Sequence, residues 1–410
     1  MSRGCSAVLG VAILLGICAP VYAQEGLPRA APEEAGLSSE GLDRITELMN
    51  RFVSEERIGG AVAGIARRGQ QVYLEAVGYQ DLEARTPMTD GSLFRVYSMT
   101  KAVTAVAAMI LYEEGSFQLD DPVSMYLPDF AGVRVVGAAG EPLRPPERPI
   151  TVRDLMLHTS GLSHRRSELY QELRVRSRSI PMARFIQNIT AAPLMEDPGT
   201  RFRYSAASTV LGALVEVWSG SSLDEFLRAR VFEPLEMNET GFWVEPSRVD
   251  RLTTVYRQDN GGLLAYQIEE LPFTERPQLL EGAVGLVSTV SDFMRFSQML
   301  LNRGELGGVR VLRAETVSDM TVNGLSEAVL QTRTAGTGWG LANVAVMLDP
   351  TSVAYPTSLG EYGWDGSAGT IFWVNPAEEL VIVLMWQSSP SNPEGLRQQV
   401  KGLIHEALLD

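Results

Sequence analysis

The chain has 410 residues, 35 of them basic and 50 acidic, for a formal net charge of −15. That excess of acid argues against nucleic acid and against anionic membrane surfaces as partners. The hydrophobic fraction of 45% is ordinary for a globular protein, and the two cysteines, Cys5 and Cys18, both lie close to the first residue.

Arg3, an apolar run from Ala7 to Cys18, then Pro20 and Val21-Tyr22-Ala23 read as the n-region, h-region and small-residue cleavage site of a secretory signal peptide, residues 1–23. The run is too short for a comfortable transmembrane span. Ile17 stands where a lipoprotein acylated on Cys18 would carry a small residue. Cleavage after Ala23 predicts an exported protein, periplasmic or secreted, of 410 − 23 = 387 residues with no cysteine. Such a chain must rely on its packed core without disulfides. Its length suggests two lobes, and no later apolar run is long enough to span a bilayer.

Gln24 to Gly36 is a lead-in containing Pro and Glu. Leu42, Ile45, Leu48, Met49, Phe52 and Val53 then mark an amphipathic helix with Ser38 or Ser39 as N-cap. Ala61 to Ala66 and Gln71 to Val77 read as a hairpin turned at Arg67 to Gln70. A helix begins at Ser98, with Met99, Val103, Val106, Ala107, Ile110 and Leu111 at helical spacing and Gly115 as its stop. Asp120-Asp121-Pro122 opens a short helical piece, Gly137 to Pro149 is loop, and Thr151 caps a helix ended by His158-Thr159-Ser160-Gly161. Further helices are predicted over Met182 to Ile189, through Val210, Leu211, Leu214, Val215 and Trp218, and over Leu223 to Val231. Strand signals are few between about Tyr112 and Gln278. Ser291 is the expected cap of a helix through Phe293, Phe296, Met299 and Leu300. Gly340 to Leu348 is a candidate strand, Thr370 to Val374 and Leu380 to Trp386 form a hairpin, and Leu403 to Leu409 closes the chain as a helix.

The predicted fold class is therefore α/β (α+β). One antiparallel sheet is formed from both chain ends and flanked by helices, with a mainly helical lobe inserted. The expected mature domain, 24–410, divides into a sheet lobe at about 24–111 and 285–410 and a helical lobe at about 112–284.

The chemistry concentrates at Ser98-Met99-Thr100-Lys101. A Ser and a Lys three apart share one helix face. A Ser hydroxyl needs a neighbouring base before it attacks, and a Lys amine serves where burial and nearby positive charge disfavour its ammonium form. Lys occurs only at Lys101 and Lys401; every other basic residue is Arg. Arg cannot give up its proton, so a Lys kept at this position points to work needing a neutral amine. The three histidines, His158, His164 and His405, form no metal-ligand pattern. His158 is expected to satisfy loop backbone, and His164, beside Arg165 and Arg166, to lie on the surface. There is no Gly-x-Ser-x-Gly elbow, and Gly336 to Gly340 precedes no phosphate-loop Lys.

Ser98-x-x-Lys101, the later Tyr204-Ser205-Ala206 and the late Trp364-Asp365-Gly366 together resemble the serine β-lactamase and penicillin-binding-protein superfamily. The chain looks most like class C β-lactamases and family VIII carboxylesterases, including at Leu157 to Leu162. The resemblance implies Ser98 as nucleophile, Lys101 as general base and Tyr204 as proton shuttle. It implies the backbone N–H groups of Ser98 and Ser367 as oxyanion hole, Trp364, Asp365, Gly366 and Ala206 as substrate contacts, and no cofactor or metal. Two departures bear on substrate. Trp364 replaces the Lys that attracts a β-lactam carboxylate, and Asp365 repels an anion unless paired. Ala206 replaces an Asn that contacts the amide side chain of β-lactams. Both favour a neutral, apolar acyl substrate, so the expectation is a carboxylesterase for short-chain esters. The alternatives are a class C-like β-lactamase or D-amino-acid peptidase, and a non-catalytic protein that binds cell-wall peptides.

Overall fold

Arg68 and Gly69 have φ of +53° and +77°, the paired left-handed conformation of a type I′ turn, whose twist matches the strands it joins. They connect β1 (Gly60–Arg67) to β2 (Gln70–Asp81). The structure, a computed structural model, describes residues 26–137, 142–164, 167–259 and 262–409. The expected signal peptide and both cysteines lie outside the described residues.

A short β3 (Thr86–Pro87) follows β2, and the remaining strands of the main sheet come from the other end of the chain. They are β4 (Thr337–Gly340), β5 (Val344–Met347), β6 (Tyr362–Asp365), β7 (Ile371–Asn375) and β8 (Leu380–Trp386). The order is β4-β5-β6-β7-β8-β1-β2-β3, with every neighbouring pair antiparallel. The two chain ends meet at β1 and β8, where Ala61 faces Trp386 and Arg67 faces Leu380. Both strands are buried at every position, as expected of central strands covered on both faces.

One face is covered by α1 (Ser39–Ser54), capped by Ser38, whose side chain accepts from Gly41 N. Leu42, Ile45, Met49 and Phe52 of that helix pack with Leu396, Val400 and Ile404 near the C-terminus. The opposite face carries a helix over Val290–Leu301, whose Phe293 meets Phe372 at a ring separation of 5.2 Å. Gly64 lets it approach, because a Cβ there would lie 2.3 Å from Met294 Sδ. The remaining long helices, α2 (Thr100–Glu113) and α3 (Ala207–Ser219), pack together among the helices that follow β3. From Thr100 to Leu111 α2 is buried on every side, the pattern of a helix inside the core.

Three expectations are corrected. The cap of the Val290–Leu301 helix is Thr289, whose hydroxyl accepts from Asp292 N, and Ser291 lies within the first turn. Val290 already faces the core, so the cap must precede it. Gly340 to Leu348 is not one strand, because Asn343 adopts φ +56° and turns β4 into β5; Asn tolerates that region. The last helix runs Leu396–Glu406 rather than Leu403 to Leu409, starting after Gly395 at φ +71°. Within the mainly helical lobe a hairpin, Tyr256–Asp259 with Gly262–Ala265, pairs in parallel with Ser388–Ser389. It is mostly exposed and lacks the apolar alternation that signals a strand.

Lys401, on the last helix, is 4% exposed and paired with buried Glu361. Its Nζ lies 4.9 Å from the Tyr355 ring centre and 5.1 Å from that of Trp373. Among the described residues no helix is long and apolar enough to cross a membrane.

Candidate active site

Phe94–Arg95 pairs with Val287–Ser288 and delivers the chain into a single 3-10 turn, Tyr97–Met99, ahead of α2. Ser98 therefore lies in the 3-10 turn rather than in the α-helix. The turn runs straight into α2, so Ser98 and Lys101, three apart, meet on one face of the continuous spiral. Tyr97, a bulky aromatic, has φ +43°; such strain persists only where surrounding packing imposes it. Tyr97 is fully buried, with its ring edge-on to Phe273 at 6.0 Å, and the turn leaves Ser98 partly exposed between buried neighbours.

Lys101 is 2% exposed. Its Nζ donates to Ser98 Oγ at 3.2 Å and to the Ala283 carbonyl at 2.9 Å, and lies 4.7 Å from the centre of the Tyr204 ring. The Ala283 carbonyl is itself held close to α2, since Thr104 Oγ1 donates to the neighbouring Gly282 carbonyl at 2.8 Å. Tyr204 precedes α3, and its hydroxyl accepts a hydrogen bond from Trp364 Nε1 at 2.8 Å. Trp339, on β4, stands perpendicular to Trp364 at 4.6 Å.

His158 corrects an expectation, since its side chain engages Ser205 Oγ (3.2 Å from Nδ1) rather than loop backbone. Its ring centre is 4.8 Å from that of Tyr204. Burial, followed by the cationic neighbours Lys101 and Arg333, holds the imidazole well below the usual histidine range. His164 is the residue that sequence reasoning missed. It stacks on Tyr204 at 5.9 Å and borders the same cavity as Ser98. The arginines after it suggested surface, and the burial of Leu162 and Ser163 before it comes from the tertiary fold.

Trp364 and Asp365 are neighbours on β6 and so point to opposite faces. Trp364 faces Tyr204. Asp365 is turned away from the cavity and salt-bridged to Arg397, which also donates to the Gly366 and Thr370 carbonyls, each at 3.2 Å. The Arg397 pairing is the condition under which Asp365 no longer repels an anion. Gly366 opens a tight turn closed by Gly366 N to Thr370 O at 2.8 Å. A Cβ at Gly366 would lie 2.5 Å from the Val96 carbonyl, so only glycine lets the turn carrying Ser367 pack against the strand leading into Ser98.

Ser98 and Lys101 border a cavity of about 20 Å³ whose other walls include His164, Phe185, Ala206 and Val284. It has room for about one water. A larger hollow of about 360 Å³ beside Phe232, Phe242 and Trp243 contains no comparable pairing of nucleophile and base, so chemistry rather than volume identifies the site. Among the described residues no group of three His, Cys, Asp or Glu side chains is arranged to hold a metal ion.

A family model described as Beta-lactamase matches residues 44–404. Protein Rv1367c of Mycobacterium tuberculosis is 34% identical over 351 residues, 81% of this chain and 86% of that protein. Esterase EstB of Burkholderia gladioli is 29% identical over 378 residues, 86% of this chain and 92% of that protein. Among solved structures, EstCE1, described as a hydrolase with promiscuous acyltransferase activity, superposes with a TM-score of 0.80 at 27% identity. That match covers 89% of this chain and 99% of the other.

Proposed function

The chain belongs to the beta-lactamase family of serine hydrolases, and we propose that within it the protein is a carboxylesterase working through an acyl-enzyme on Ser98. The observation that carries this reading is the contact of Lys101 Nζ with Ser98 Oγ at 3.2 Å, with the Tyr204 ring beside the same amine. Lys101 in its base form takes the Ser98 proton as Oγ attacks the ester carbonyl carbon. The backbone N–H groups of Ser98 and Ser367 receive the oxyanion. The proton taken from Ser98 passes through Tyr204 to the departing alcohol oxygen. Water then gives up a proton to the Lys101–Tyr204 pair as its oxygen attacks the acyl carbon. The acyl–Oγ bond breaks, and the proton from that water returns to Ser98 Oγ as the acid leaves.

The ester preference rests on Trp364 and Ala206. Where a cation would meet a β-lactam carboxylate there is an indole, and the nearby Asp365 is already paired with Arg397. Neutral short-chain esters suit such a site better than anionic β-lactams. Export with cleavage after Ala23 belongs to the same reading, and N-terminal sequencing of secreted protein checks it.

The direct test is labelling by a fluorophosphonate probe, with Ser98→Ala as control, followed by kcat/KM on p-nitrophenyl acetate and on nitrocefin. We expect labelling at Ser98 and faster turnover of the ester. A clear preference for nitrocefin overturns the esterase assignment in favour of a β-lactamase. An unlabelled Ser98 overturns it in favour of a non-catalytic binding protein.

A further inference from the structure

The cavity at Ser98 ends on a buried ion pair. Arg176 binds Glu281 through two nitrogens, Nε to Oε1 and Nη2 to Oε2, the second at 2.8 Å, and Glu269 Oε2 lies 3.0 Å from the same Nη2. The Arg176 side chain is 17% exposed and that of Glu281 only 1%. Both border the cavity together with Ser98, Phe185, Ala206 and Val284. Tyr204 and Trp364 do not line it. In the proposed reaction the alcohol leaves beside the Tyr204 hydroxyl, and the small cavity that Ser98 itself borders is the space assigned to the acyl chain.

That space cannot readily deepen. Bidentate bonds hold the guanidinium and carboxylate in one plane, and separating them would strand a charge in a buried site. The backbone behind Glu281 is fixed as well. Its carbonyl accepts from Val284 N at 3.0 Å and Gly285 N at 2.8 Å, and the next two carbonyls accept from Thr104 and Lys101. A volume of about 20 Å³ accommodates a methyl group. A longer alkyl chain meets charged atoms already committed to each other.

We propose, on the strength of the esterase reading, that the Arg176–Glu281 pair is the end wall of the acyl pocket and confines the enzyme to acetyl-sized acyl groups. Arg176 and Glu281 are then specificity-determining residues, set by their shape and their mutual engagement.

The test is the chain-length profile of kcat/KM on p-nitrophenyl acetate, butyrate and octanoate. In the wild type the value falls roughly tenfold or more from acetate to butyrate, the scale on which a pocket discriminates methylenes. The double variant Arg176→Ala/Glu281→Ala removes one charge of each sign, and Glu269 stays within the fields of Arg95 and Arg178. Its octanoate-to-acetate ratio is expected to rise at least roughly tenfold. Glu281→Asp retracts the carboxylate by one methylene while keeping the charge, and is expected to raise the butyrate-to-acetate ratio. This second variant provides the reading if the double variant does not fold. A change that only loosened the fold would lower all three esters together and leave the ratios fixed. Unchanged ratios in the folded variants, with acetate still hydrolysed by the wild type, overturn this proposal alone. A wild-type protein inert to all three esters removes the esterase reading and this proposal with it.

Discussion

The indole N–H of Trp364 donates to the hydroxyl oxygen of Tyr204 across 2.8 Å. A donor aimed at that oxygen favours whichever state of Tyr204 carries more negative charge, the state a proton shuttle must pass through. Trp364→Phe keeps an aromatic wall and removes only the donor. The expected result is a fall in kcat of roughly 10- to 100-fold with KM little changed, the scale of a hydrogen bond to a charged group. Steady-state kinetics on p-nitrophenyl acetate decide it. An unchanged kcat would reduce Trp364 to a packing residue.

Lys101→Arg preserves a positive charge and a long stem but removes the capacity to accept a proton. With Lys101 as base, acylation of Ser98 should slow by roughly 10²–10⁴-fold in a protein that remains folded. Single-turnover acylation by a p-nitrophenyl ester, with circular dichroism as the folding control, makes the measurement. Acylation within a few-fold of wild type would show that Lys101 supplies only charge or geometry. Tyr204→Phe belongs beside it, because residues acting as a unit do not contribute additively.

Ser98 and Lys101 were legible in the sequence because their relationship is local: three positions along one turn. Tyr204 and Trp364 were legible only by their resemblance to ordered motifs, since 160 residues separate the two sides of their hydrogen bond. β-strand parity was enough to place Asp365 on the face opposite Trp364. What could not be seen was its partner, because Arg397 lies on a different element and arrives through the tertiary fold. His164 and the Arg176–Glu281 pair were invisible for the same reason. Chain-crossing, rather than spacing, brings them to Ser98.

Gly366→Ala tests the turn that carries Ser367. The added methyl would sit 2.1 Å from Thr370 Oγ1 and 2.5 Å from the Val96 carbonyl. The second atom is backbone two residues before Ser98 and has little freedom to yield. The expected cost is about 1–3 kcal/mol of stability, as for other overpacked sites, together with a greater loss of activity than stability alone explains. Gly132→Ala is the control, because nothing lies within 4 Å of a Cβ there. Urea unfolding and kcat/KM, compared for the two variants, separate the effects, and a Gly366→Ala enzyme matching the control would refute the close packing of this turn.

Asp292 accepts from Glu239 N at 2.9 Å and Thr240 Oγ1 at 2.8 Å. Burial nevertheless pushes its carboxyl up to about 6 from the ordinary 3.8. Between these values the folded protein holds a proton that the unfolded chain has released. The contribution is therefore fully present below the unfolded value and is lost as pH rises through the folded one. His158 acts oppositely: its lowered folded value means that the unfolded chain gains a proton as pH falls below 6.5 and stability declines toward acid. Comparing wild type with Asp292→Asn isolates the carboxyl. The stability difference should shift against the wild type by roughly 2 kcal/mol between pH 4 and 6.5. Urea midpoints taken at half-unit pH steps provide the curve, and a difference independent of pH would mean that Asp292 does not titrate there.

Lys101 and Lys401 are the whole lysine complement of the chain, and both are buried, at 2% and 4% exposure. The native surface thus offers amine-directed reagents no side chain at all. Succinimidyl esters and glutaraldehyde find only the terminal amine, so the folded protein resists crosslinking and conjugation through nitrogen. Multipoint attachment to a solid support therefore goes through its 50 acidic side chains rather than through lysine. Unfolding releases two amines together, one of them three residues from Ser98. Uptake of an amine-reactive dye consequently counts opened molecules, and a mass shift on the Lys101 peptide reports when the neighbourhood of Ser98 has come apart.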